Sequence, residues 1–306
     1  INWKVVALFL AVIGPGIITS NVDNDAGGIT TYSLAGANFG YTLLWSLIPI
    51  TILLIIVQEM GVRMGIVTGK GLSDLIRENF GVKTTIFVMT ALVIANFGNV
   101  VAEFAGIAAA GEIFGVSRYI LVPLAAIGVW FLVVKGNYKF VEKIFLWACL
   151  FYIAYIVSGF MAKPVWMDVA RNTFMPTFPS VNIIPYVIML IGLVGTTIAP
   201  WMQFYLQSSI VEKGIKLEEY KYSKWDVIIG SILVNVVAFF IILTCAIIFM
   251  SNGHVETIKD AAVALTPLAG KYATYLFAFG LLNASIFAAS ILPLSTAYSV
   301  SEGFGF

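Results

Sequence analysis

Apolar residues dominate this chain in runs too long for a soluble helix, and short polar stretches punctuate them. A membrane-crossing helix needs about 20 predominantly apolar residues. That criterion predicts eight spans: Trp3 to Ala35, Leu43 to Ile66, Thr84 to Phe114, Tyr119 to Val134, Phe140 to Met161, Ile183 to Ser209, Val227 to Met250 and Leu268 to Leu292. The pattern predicts interruptions in two of them. In the first, the polar run Thr19-Ser20-Asn21-Val22-Asp23-Asn24-Asp25 sits between Gly14-Pro15-Gly16 and Gly27-Gly28. In the sixth, Pro200 follows Thr196-Thr197-Ile198-Ala199 and precedes Trp201-Met202-Gln203. Glycine and proline both weaken intrahelical bonding, so unwinding is expected at each place. Five spans separate the equivalent breaks, and an odd-numbered repeat inverts its second copy. That is the logic of inverted-repeat transporters with paired broken helices at the midplane. The chain is therefore expected to form one all-α transporter domain over 1–306, with a first repeat over about 1–162 and a partial second repeat over about 180–306.

Composition narrows the partners. Of 306 residues, 60% are hydrophobic and 11% charged, against about 25% charged in soluble domains, so the bilayer is the expected surrounding. A formal net charge of +1 supplies no basic face for nucleic acid. Cys149 and Cys245 lie in apolar runs, so neither a disulfide framework nor a thiolate metal site is expected. The single histidine, His254, argues against a histidine-built zinc site or bis-histidine haem, and no nucleophile, base and orienter can be assembled. An enzyme with a resident cofactor is not expected. Gly65 to Gly71 has three residues between its first two glycines instead of four, and it lacks the Ser or Thr of a P-loop. Asn283-Ala284-Ser285 matches a glycosylation acceptor but falls inside a span.

Charge placement predicts orientation. Lys and Arg crowd the loops around Arg63–Lys83, Lys135–Lys143 and Lys213–Lys224, whereas the alternate loops carry Arg118, Lys163, Arg171, Lys259 and Lys271. The positive-inside bias places the N-terminus in the cytoplasm, in a plasma-membrane setting. The mixed-charge stretch Glu212 to Asp226 reads as a solvated cytoplasmic loop or short helix.

A charge at bilayer depth costs at least about 2.5–3.5 kcal/mol, so Asp23 and Asp25 mark a cavity, a partner or an ion. Asn21, Asn24 and Gln203 add amide oxygens, and unwinding around Thr197 and Ala199 frees carbonyls. All are hard oxygen donors, which suit Mg²⁺ or Ca²⁺ better than soft metals. Met202 beside Trp201 reads as packing. Glu103, the third intramembrane acid, either lies on the ion path, orients the site, or is a protonated carboxyl bonded to a neighbouring helix. Glu59 and Glu112, nearer span ends, are expected to snorkel or pair at the interface.

These motifs resemble the NRAMP family of divalent metal transporters. The resemblance is carried by Gly14-Pro15-Gly16, Asp25-Ala26-Gly27-Gly28, Phe39 to Trp45, Gly65 to Lys70, Ala102-Glu103-Phe104, Gly195 to Ser209 and Ser301 to Phe304. It implies a LeuT-type fold with the metal at the first- and sixth-span breaks, and C-terminal spans beyond the given chain. The departures are specific. Where the family has Asp-Pro-Gly-Asn, this chain has Asp25-Ala26-Gly27-Gly28; where it has Met-Pro-His, this chain has Ala199-Pro200-Trp201. A second family histidine aligns with Gln207, and the acid three residues before Glu103 is Val100. Loss of the asparagine and methionine removes two ligands and is expected to enlarge the site. These features resemble the divergent NRAMP-related magnesium transporters, which are not proton-coupled. The implied cargo is a partly hydrated Mg²⁺ held by Asp25, Asp23, Asn24, Gly28, Thr197, Ala199 and Gln203, with Asn21, Glu103 and Gln207 along its path. The alternatives are a proton-coupled Mn²⁺ or Fe²⁺ transporter and an amino-acid or organic-cation carrier.

Overall fold

The computed structural model describes residues 14–135, 149–178, 183–250, 259–262 and 270–305, with Ile144, Trp147 and Thr257. His254 and most of the first half of the predicted fifth span, 140–148, lie outside the described residues. The elements are α1 (Pro15–Val22), α2 (Ala26–Phe39), α3 (Leu47–Thr68), α4 (Leu72–Ile113), α5 (Arg118–Lys135), α6 (Ile153–Met161), α7 (Trp166–Phe174), α8 (Ile183–Thr197), α9 (Pro200–Lys213), α10 (Tyr220–Met250) and α11 (Lys271–Phe304). Both anticipated interruptions are present: α1 and α2 part at Asp23–Asp25, and α8 and α9 part at Ile198–Ala199.

Two spans differ from the sequence pattern at their starts. The third begins before Thr84, because the polar segment Leu72–Phe80 is also helical and bends at Gly81, whose φ of 79° and ψ of 171° suit a glycine. The seventh begins at Tyr220 and not Val227, and this overturns part of the solvated reading of Glu212–Asp226. Ser223 and Asp226 are each 1% exposed, turned inward against the bundle. Charge alternation does not distinguish a solvated face from one carboxylate that meets a helix end.

The core follows from which helices touch. The long α11 lies along α4, α10 packs on α2, α1 and α6, and α9 packs on α3. Trp201, Tyr32, Tyr152, Tyr155, Tyr186 and Phe277 are its largest fully buried side chains among the described residues. In α5 only Val129 is buried, while Ile120, Leu124, Ile127 and Phe131 face outward. An apolar exterior of that kind suits lipid, not water. Six described helical segments are long and apolar enough to cross a bilayer.

Candidate cation site at the paired helix breaks

The first break is built from capping chemistry. Asp25 adopts an extended backbone (φ −74°, ψ −178°), and its Oδ1 accepts the Gly28 N–H at 2.6 Å as the N-cap of α2. Glu103 reaches across from α4, fully buried, and its Oε2 accepts the Ala26 N–H at 3.0 Å. A helix N-terminus carries roughly half a positive charge. Two carboxylates therefore neutralise the end of α2 that would otherwise repel a cation. Glu103 thus bonds the head of a neighbouring helix through Oε2, while its Oε1 has no hydrogen-bond partner.

Donors remain after those bonds are made. Asp23 is 2% exposed and Asn24 fully buried, and Asp23 Oδ2 and Asn24 Oδ1 have no hydrogen-bond partner. The Asn24 amide nitrogen donates to the Val234 carbonyl at 3.2 Å, which aims its oxygen elsewhere. A buried polar atom without a partner costs about 1–3 kcal/mol, so a ligand that satisfies several is favoured there. Gln203 contributes two more unpartnered amide atoms from α9.

The second break offers backbone. Ala199, extended at φ −76° and ψ 139°, caps α9 without a side-chain bond, and Pro200 at the first helical position has no N–H to satisfy. One lone pair of the Ala199 carbonyl accepts the Met202 N–H at 3.2 Å. Thr197 is fully buried, and its hydroxyl lies 2.7 Å from that of Tyr32 on α2 while also donating to Leu193. This contact ties α2, which follows the first break, to the end of α8 at the second. α1 packs on α9 and α2 on α8, so each half of the first broken span touches a half of the sixth.

Other sequence-predicted residues have different surroundings. The Asn21 amide nitrogen is spent on the Ile17 carbonyl, within its own helix. Gln207 donates to the Lys70 carbonyl at 2.8 Å, at the turn between α3 and α4. Met202 and Trp201 are core residues, as anticipated. Gly28 corrects the sequence reading: a Cβ there would lie 2.4 Å from the Asp23 carbonyl oxygen. Backbone lies beside this glycine and leaves no room there for a Cβ. Among the described residues no group of three His, Cys, Asp or Glu side chains gathers in metal-holding geometry. Any bound cation therefore depends on amides, carbonyls and water beside the carboxylates.

Asp226 was missed by sequence reasoning. It is 1% exposed, and its carboxylate accepts the N–H groups of Gly16 at 2.6 Å, Gly14 at 3.2 Å and Ile17 at 3.3 Å. Pro15 supplies no N–H of its own. An acid at the head of an apolar span was the available signal, but nothing in the sequence named its partner.

A cavity of about 520 Å³ reaches the first break from the end of the bundle where α4 gives way to α5. Ala26, Gly27 and Thr30 line its floor, and Glu112, Arg118, Thr257 and Lys259 line it as well. Asp25 is partly exposed, whereas Asp23 and Asn24 are closed off.

A multi-pass helical membrane protein with two broken spans crossing at a buried polar site defines the class. Within it, the chain belongs to the natural resistance-associated macrophage protein-like (Nramp) family, whose model matches residues 16–306. A divalent metal cation transporter MntH of Erwinia tasmaniensis is 29% identical over 304 residues, covering 96% of this chain and 72% of that protein. Its Klebsiella pneumoniae counterpart is 28% identical over 305 residues, with the same coverage. The crystal structure of the Eremococcus coleocola manganese transporter in complex with an aromatic bis-isothiourea substituted compound superposes with a TM-score of 0.77 at 23% identity. It covers 99% of this chain, which spans 66% of the length of that one. The fold is thus the LeuT-type arrangement that the family resemblance implies.

Proposed function

We propose that this protein transports divalent metal cations, and that its preferred cargo is partly hydrated Mg²⁺ moved by alternating access without proton coupling. The observation that carries this reading is the donor set. The first break offers Asp23, Asp25 and Asn24 oxygens, Gln203 adds an amide, and the second break adds carbonyls, with Ala199 where a thioether would favour softer metals. Mg²⁺ gives up water reluctantly and is commonly held by one or two carboxylates through its remaining waters. Asp25, the carboxylate nearest the cavity floor, is the electrostatic anchor. Asp23, Asn24 and Gln203 receive the ion's waters, and Glu103 holds the break in shape.

In this reading the positive-inside bias puts the N-terminus in the cytoplasm and the cavity at the external end, in the plasma membrane. The two broken spans belong to successive inverted repeats. Two charges crossing 100 mV gain about 4.6 kcal/mol, twice the single-charge figure, which suffices for uptake driven by membrane potential.

A second reading is proton-coupled Mn²⁺ transport. It is favoured by the manganese transporter named among the solved structures and by the divalent-metal naming of the sequence relatives. Flux of Mg²⁺ and Mn²⁺ into proteoliposomes, with and without a pH gradient, tests both. Mg²⁺ uptake unaccompanied by protons is the expected result. Proton influx rising in step with Mn²⁺ uptake, and no Mg²⁺ flux, overturns the first reading in favour of the second.

A further inference from the structure

The cavity above the cation site carries a charge pattern that the site itself does not need. Its charged lining residues are Glu112, Arg118 and Lys259. Two of these are cations, on a route proposed for a cation. Glu112 terminates α4 and accepts from both of them: its Oε1 takes Arg118 Nε at 2.5 Å, and its Oε2 takes Lys259 Nζ at 2.5 Å. The three lie on separate parts of the fold. Glu112 ends α4, Arg118 opens α5, and Lys259 belongs to the short helical stretch 259–262 that follows α10 in sequence.

That stretch is firmly seated. Thr257 and Asp260 cap each other reciprocally, with the Thr257 N–H and hydroxyl on Asp260 Oδ2 and the Asp260 N–H on Thr257 Oγ1. Ala261 and Ala262 are fully buried in the core. The Lys259 side chain is 47% exposed on a flexible four-carbon stem and meets Glu112 through one nitrogen, whereas Arg118, 56% exposed, meets it through both Nε and Nη2. Arg118 holds its own Glu112 oxygen through a planar fork from only six residues away. Of the two cations on Glu112, the lysine is the exchangeable one.

We infer that Glu112 is an outer acceptor for the arriving divalent cation, and that Lys259 occupies it at rest and is displaced when the cation binds. This rests on the divalent-transport reading and deepens it. A hydrated divalent ion carries twice the charge of an ammonium group and competes for Glu112 Oε2 from water, without desolvating fully. Once it has displaced the lysine, the released ammonium adds its repulsion behind the ion, whose way forward leads along the cavity to Gly27 and Asp25. The exchange is one of ions and hydrogen bonds; no covalent bond changes.

The test uses the whole transporter in proteoliposomes, with initial Mg²⁺ uptake measured against Mg²⁺ concentration and Mn²⁺ run in parallel. Glu112→Gln and Lys259→Gln break the same contact, so a purely structural bridge moves both variants the same way. An acceptor with a resident competitor moves them oppositely. The half-saturating concentration is expected to rise about threefold in Glu112→Gln and to fall about threefold in Lys259→Gln, within the range of exposed charge pairs. Both shifts are expected to shrink as ionic strength rises from about 0.01 M to about 0.15 M. Where Glu112→Gln yields little folded protein, Lys259→Gln carries the test alone, because loss of a structural bridge does not improve half-saturation. Parallel shifts, or none, with normal wild-type flux overturn this inference and leave the transport reading intact. No wild-type flux of either ion overturns the transport reading and this inference with it.

Discussion

The two helix breaks are held open by different means. At the first, side chains do the work: Asp25 caps α2 on one amide, Glu103 satisfies another from α4, and Asp23 and Asn24 keep free oxygens beside them. At the second there is no side-chain cap. Pro200 removes one amide, Ala199 turns the chain, and only carbonyls and the Thr197 hydroxyl are presented. The first break thus carries the charge, and the second carries uncharged donors. In a pair so divided, substitutions at the first break should change whether a cation binds, and substitutions at the second should change which one.

The largest expected effect comes from Asp25→Asn. Asparagine is as good an N-cap as aspartate, so α2 should still form while the charge is lost. Mg²⁺ flux in proteoliposomes is expected to fall on the order of a hundredfold, equivalent to about 2.8 kcal/mol at 1.4 kcal/mol per decade. Flux within twofold of wild type would remove Asp25 from the anchoring role.

Gly28→Ala sharpens the contrast through packing. Its Cβ would meet the Asp23 carbonyl at 2.4 Å, and overpacking of this kind destabilises by about 1–3 kcal/mol. A lower midpoint of thermal unfolding for the purified protein is expected. An unchanged midpoint would mean that the break relaxes freely.

At the second break, Ala199→Met adds a soft donor. Mn²⁺ affinity relative to Mg²⁺, read by calorimetry, is expected to rise about tenfold, or roughly 1.4 kcal/mol. No change would show that the Ala199 side chain does not reach the ion. The smallest effect is expected from Ala199→Ser, which supplies the missing cap of α9. It should raise stability by about 0.5–1 kcal/mol in thermal unfolding while leaving the Mn²⁺ to Mg²⁺ preference unchanged.

Much of this was legible in the chain because the bilayer makes rules strict. Unsatisfied backbone and charge are so unfavourable in lipid that Gly14-Pro15-Gly16, Asp23, Asp25 and Pro200 could be read as interruptions with a purpose. Glu59 and Glu112 were likewise recognisable as span-end acids. Glu59 accepts from the Tyr220 hydroxyl and lies 3.6 Å from Arg63, and Glu112 holds its two cations. What escaped were contacts between residues far apart in sequence. Asp226 looked like the tail of a solvated charged loop until α10 brought it against α1, some 210 positions away. Gln207 likewise gave no sign in the sequence that its amide nitrogen meets the Lys70 carbonyl, 137 positions away, while its oxygen keeps no partner.

The sequence by itself determined that this is a multi-pass helical membrane protein with breaks in its first and sixth spans and hard oxygen donors at both. Those properties follow from the local chemistry of apolar runs, proline, glycine and buried acids. Only the tertiary structure decided how the donors are used. It assigned one Asp25 oxygen and one Glu103 oxygen to the amides of α2, left Asp23 and Asn24 with free oxygens, and filled the space beside Gly28 with backbone. The physical reason is that a hydrogen-bonding group's availability depends on which neighbours reach it first, and those neighbours are chosen by packing across the whole bundle.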